Sequence, residues 1–220
     1  MDTIEDLGSL LAASATDLGS PRAGVVATVK DFDSLADSWC RYHLAVGFEH
    51  LYIYFDDPSE LGRVGLPSRF PPERLTCIPH DARLRSEWRT LQMNGGGAKP
   101  TAGTGGGADE HVTHAGKEVQ TRQQLNARHA MRLARARGLD WLLHIDADEL
   151  FYPGPSGDAR AHFASLSDAG VATFCYMNHE AVPERHGIVN PFREVSLFKR
   201  SLELCEPTPE AREAVDFWQR

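Results

Sequence analysis

The sequence predicts an α/β fold with a mostly parallel sheet flanked by helices. Three observations predict it. Short runs rich in branched and aromatic residues, at 24–30, 51–55, 76–79 and 141–145, alternate with helix-type segments, the rhythm of βαβ units. These runs are nearly free of charge, as strands covered on both faces must be. The run Trp141-Leu142-Leu143-His144-Ile145 then stops in three acids, Asp146, Asp148 and Glu149. Charge is rejected inside such a strand, so the acids sit where it leaves the sheet. That edge is where open α/β sheets bind ligands.

The 220 residues, 41% hydrophobic and 25% charged, can bury one sizeable core. A formal net charge of -8 argues against general nucleic-acid binding. It leaves phosphate ligands open, because a bound cation inverts the local charge. The cysteines at 40, 77, 175 and 205 form no CxxC pair and read as reduced core residues. No apolar run approaches the roughly 20 residues of a membrane span, and the first six residues are acidic where a signal peptide is basic. The chain as written is expected to be soluble, with an anchor upstream if it is a fragment.

In chain order, 1–22 read as a loose lead-in, 23–206 as a single domain and 207–220 as a tail with a weak helix. After the first strand, Asp33 or Ser34 can cap a helix whose stripe is Leu35, Trp39, Tyr42, His43 and Val46, ended by Gly47. The second strand is broken by Asp56-Asp57-Pro58-Ser59, and a short helix precedes the third. Residues 94–117, with Asn94-Gly95-Gly96-Gly97 and Gly105-Gly106-Gly107, read as a mobile insertion. His111 and His114 inside it read as solvated loop histidines. The longest helix spans 118–138, with Ala127, Ala130, Met131 and Ala134 toward the sheet and Arg128, Arg132 and Arg135 toward solvent. A short helix at 158–167 and two more strands, at 171–177 and 195–199, complete the expectation.

Two aspartates one residue apart can grip a divalent cation together, or a cation and a sugar hydroxyl. Hard cations such as Mn²⁺ or Mg²⁺ take carboxylate oxygens and keep positions open for phosphate and water. Glycosyl transfer from a nucleotide sugar expels a diphosphate, whose growing charge such a cation offsets. In this reading Asp148 is the direct metal ligand. Asp146 lies nearer the ribose or donor sugar and reaches the metal directly or through water. Glu149 adds an outer hydrogen bond or caps the next segment. Thr28, Lys30 and Asp31 end the first strand, and Asp56 and Asp57 the second, so all share the same edge. A carboxylate at the second strand end can accept the N–H of a uracil-type base, and Lys30 can neutralise phosphate or pair with Asp31. A DxD phosphatase fits poorly, since its motif ends the first strand.

The blocks Lys30-Asp31-Phe32-Asp33, 37–48 with Trp39-x-x-Tyr42-His43 and Gly47-Phe48, 52–59, and Trp141-Leu142-Leu143 through Asp146-x-Asp148-Glu149 resemble those of nucleotide-sugar glycosyltransferases of the GT-A fold. The likeness is greatest to family-92 glycosyltransferases and their family-2-like relatives, over about residues 24–200. Gln123, Gln124 and Asn126 match more weakly, and Asn126 is carried as a nucleotide-side residue. The resemblance implies a UDP-sugar donor, often UDP-galactose, a glycan acceptor, Mn²⁺ and the Golgi. Two departures stand out: the glycine-rich insertion, and a chain that stops before the late histidine and late acidic base such enzymes usually carry. Glu180 is the nearest candidate base, with His179 and His186 as candidate late histidines. A truncated gene model, a short variant and a catalytically inactive GT-A module binding a nucleotide or glycan are the alternatives.

Overall fold

The computed structural model describes residues 19–94 and 118–199. Most of the expected lead-in and insertion, His111, His114, Cys205 and the tail lie outside the described residues. The chain divides into two compact units, 1–170 and 171–220.

The first unit is built on β1 (Ala23–Val29), β2 (His50–Phe55), β3 (Leu75–Pro79) and β4 (Trp141–His144). All pair in parallel, in the order β3-β2-β1-β4. Every residue of β2 is buried, as are all of β1 except Thr28. This is why both runs lack alternation: a strand covered on two faces has no wet side.

The helices are α1 (Ala36–Ala45), α2 (Glu60–Val64), α3 (Ala82–Asn94), α4 (Val119–Ala136) and α5 (Ala159–Asp168). On one face α3 and α4 bring Leu84, Trp88, Leu125, Ala130 and Ala134 against Val26, Tyr52 and Tyr54. The alternate strand residues face α1 and α5, where Phe48 meets Phe163 edge-on at 5.7 Å. Gly47 follows α1 with φ 110°, and a Cβ there would lie 2.6 Å from Asp158 Oδ1, the side chain that caps α5 through the Arg160 N–H. The α/β class and helix-flanked parallel sheet are those expected, and the arrangement is consistent with a GT-A-like fold.

Several details differ from expectation. Neither Asp33 nor Ser34 caps α1: its N-cap is Leu35, with no side-chain bond. The helix α3 was not anticipated, because among its described side chains Leu84 and Trp88 are the fully buried apolar ones amid charge. In α4 the sheet-facing stripe is rotated: Asn126 and His129 are buried while Met131 is 60% exposed.

In the second unit, 171–177 form no strand, because they find no ladder partner among the described residues. Cys175 is accordingly exposed rather than a core residue. The expected strand at 195–199 shrinks to β6 (Phe198–Lys199), antiparallel to β5 (Glu180–Ala181), with α6 (Pro191–Glu194) between them. No described helix is long and apolar enough to cross a membrane.

Candidate functional site

Successive strands β1, β2 and β3 step one way across the sheet, and β4 then returns to the other side of β1. The reversal puts a switch point at the C-terminal ends of β1 and β4, where doubly wound sheets offer a crevice to ligands. The Ile145 N–H donates to Val26 O at 3.2 Å, and the register pairs Val26 with His144. Counting two residues on brings Asp146 level with Thr28.

The first turns of α4 cross these strand ends. Its Asn126 donates through Nδ2 to Thr28 Oγ1 at 2.9 Å, and its Gln123 donates through Nε2 to Asp146 Oδ1 at 2.8 Å. Arg122 reaches further and clamps Asp56 with Nε and Nη2 at 2.5 and 2.7 Å. One stretch of helix therefore ties the ends of β1, β2 and β4. Asn126 is 3% exposed, and its Oδ1 has no hydrogen-bond partner. A buried acceptor left empty costs about 1–3 kcal/mol, so this oxygen is suited to a ligand hydroxyl or a water.

The acid turn is closed on itself. The Glu149 N–H donates to Asp146 O at 3.2 Å, and the Asp146 N–H donates to Glu149 Oε2 at 3.1 Å. Asp146 and Asp148 are exposed. Among the described residues Asp148 has no hydrogen bond or ion pair. Glu149 gives its backbone carbonyl to Trp39 Nε1–H at 2.8 Å.

At the end of β1 Lys30 is exposed. Asp31 takes φ 54°, a left-handed conformation that aspartate tolerates. Its N–H donates to Glu60 Oε1 at 2.9 Å, and Glu60 is 2% exposed. At the end of β2 the exposed Asp57 accepts the Ser59 hydroxyl and N–H at 2.7 and 2.9 Å. Those two bonds hold its carboxyl below the usual carboxylate range, and Lys30 adds to the effect. His80, just past β3, has Nδ1 3.8 Å from Asp56 Oδ1. Burial pushes its pKa down, against the pull of Asp56.

Sequence reasoning missed Arg122. Arg122, Asn126 and His129 stand at i, i+4 and i+7, and a polar residue recurring on the sheet face of a helix is the signal that would find it. Gln124 is exposed and points elsewhere than Gln123. Glu180 lies on β5 of the second unit and is exposed.

The donors at the crevice are hard oxygens, the kind Mn²⁺ and Mg²⁺ take. No group of three or more His, Cys, Asp or Glu side chains is gathered as a metal cage among the described residues. A Mg²⁺-type site needs no such cage: one or two carboxylates hold it, and substrate phosphates and waters complete it. Asp146 and Asp148 fit that pattern.

The chain is similar to two Arabidopsis thaliana proteins, each described as glycosyltransferase-like. It is 30% identical to the first over 169 residues, 75% of this chain and 35% of that protein. It is 34% identical to the second over 88 residues, 39% of this chain and 17% of that protein. The chain thus spans about a third or less of the length of these relatives. No protein-family model matches it, and no solved structure does.

Proposed function

We propose that the chain is a metal-dependent glycosyltransferase, moving a sugar from a UDP-sugar to a glycan acceptor, with its donor site at the crevice between β1 and β4. The observation that carries this reading is convergence at the switch point. Asp146 is steadied by Gln123 and Asn126 brings its empty acceptor to Thr28, both from one stretch of α4, while Asp148, two residues past Asp146, is exposed and has no partner among the described residues. The glycosyltransferase-like names of the two relatives support it.

In this reading Asp148 and Asp146 hold Mn²⁺ or Mg²⁺, which supplies charge compensation for the departing diphosphate. Gln123 keeps one Asp146 oxygen occupied and so orients the other. Lys30 faces the phosphates. Thr28 and Asn126 take a ribose hydroxyl, with Asp31 beside them. Asp56 can meet a base N–H only through lone pairs that Arg122 leaves, whereas Asp57 is more open. For the base that takes the acceptor proton, Glu180 is the residue the sequence offers, on the strength of the resemblance alone. UDP-galactose is the donor to try first, on the strength of the resemblance.

The test is thermal denaturation with UDP, with and without Mn²⁺. UDP is expected to raise the melting temperature only when Mn²⁺ is present, and Asp148→Asn to abolish the rise. A shift independent of metal, or one retained in Asp148→Asn, overturns the reading. Binding without transfer of any sugar would instead identify a catalytically inactive module.

A further inference from the structure

After β4 the chain keeps one bond to the sheet, from the Ile145 N–H to Val26 O, and residues 149–151 are then tied down further along. The partners are side chains of α1. The Trp39 Nε1–H donates to Glu149 O at 2.8 Å, the Tyr42 hydroxyl donates to Phe151 O at 2.8 Å, and the Phe151 N–H donates to His43 Nε2 at 3.3 Å. Positions 39, 42 and 43 share one helix face, so a single rigid element supplies all three. His43 is itself oriented, because its Nδ1 lies 2.9 Å from Trp39 O. With the proton on Nδ1 donating to that carbonyl, Nε2 is left as the acceptor that the Phe151 N–H needs. Trp39 and His43 are fully buried, and the Phe151 ring stacks on Phe163 at 5.8 Å.

We propose that Trp39, Tyr42 and His43 are positioning residues for the acid turn, holding the backbone at 149–151 so that Asp146 and Asp148 keep one fixed geometry toward the cation. The link is direct. Glu149 is gripped by Trp39 through its carbonyl and also closes the turn onto Asp146 through its own N–H and carboxylate. Loosening α1's hold therefore moves the turn that presents the carboxylates. The proposal rests on the crevice being the donor site, and it assigns to α1 a part in ligand affinity beyond packing.

Tyr42→Phe is the variant of choice. It deletes one hydroxyl from a half-buried ring and leaves the core intact. Tyr152→Phe is the control, because Tyr152 is exposed and adjacent to the same segment. Two quantities are read: backbone amide exchange of the free protein, and the affinity for UDP with Mn²⁺ by calorimetry. In Tyr42→Phe the amides of Asp146, Glu149 and Phe151 are expected to exchange about three- to tenfold faster, those of β1 to be unchanged, and the affinity to fall by a similar factor. Tyr152→Phe should alter neither. Unchanged exchange at 146–151, or faster exchange with unaltered affinity, overturns the proposal. If the unsubstituted protein binds no UDP with Mn²⁺, the donor-site reading fails, and the exchange data alone decide whether α1 restrains the turn. Should Tyr42→Phe not fold, Trp39→Phe gives the same two readouts.

Discussion

At the edge where the strands begin, Arg22 donates its Nε to Glu49 and its backbone N–H to Asp140 Oδ2, each at 2.8 Å. Its Nη1 caps the end of α4 at Arg137 O and Gly138 O. His50 fills both ring nitrogens, on Glu73 O and Thr76 Oγ1, each at 2.8 Å. At the opposite edge Asp148 and Lys30 are exposed, Asp146 gives one oxygen to Gln123, and Asn126 keeps an empty Oδ1. The same four strands bound both edges, and both carry acids. One edge spends its charges on its own backbone, and the other holds them out. Parallel strands allow this division, because every strand end of one kind lies on one side.

Acid should reach the first edge through His50. Burial pushes the pKa of His50 down to about 4. In the unfolded chain it titrates near 6.5, so below that pH the unfolded state takes a proton the folded state refuses. The stability it gives is whole above pH 6.5 and is lost as pH falls toward 4, by about 3 kcal/mol. Urea denaturation between pH 7 and 4 measures the slope, and His50→Gln should flatten it. A slope unaltered by that substitution would break the picture of a sealed edge.

Gly24→Ala should cost about 1–3 kcal/mol. A Cβ at Gly24 would lie 2.8 Å from Leu139 Cδ1 and 3.1 Å from His50 O. The UDP response should survive in the remaining folded protein. Arg22→Ala should cost about 1 kcal/mol, because its ion pair is half exposed and only the helix-end bonds add to it. Asp148→Ala sharpens the contrast from the other side. It should change the stability by less than about 0.5 kcal/mol while abolishing the metal-dependent shift, and a large loss of stability there would erase the distinction between the edges.

The strands were legible because burial on both faces demands uninterrupted apolar runs, and β1, β2 and β4 have them. The same rule misled at 171–177, an equally apolar run. A run becomes a strand only with a neighbour to pair with, and a run does not declare its neighbour. The acid turn was legible because a buried strand cannot end in three carboxylates anywhere except at an edge. Arg122 was not legible, since its partner Asp56 lies 66 residues away and only the fold brings them together. The face of α4 was partly legible: Ala130 and Ala134 are buried as their size implies, but Met131 is exposed, and Asn126 and His129 are buried because each has a polar partner on the sheet.

The three hydrogen bonds described from α1 to 149–151 fall on two carbonyls and one N–H of that segment. Anchorage of that kind is indifferent to spelling. The letters at 147, 148 and 150 can be rewritten without unfastening the loop. A small library confined to those positions would thus explore new cation and donor preferences on a scaffold that stays put.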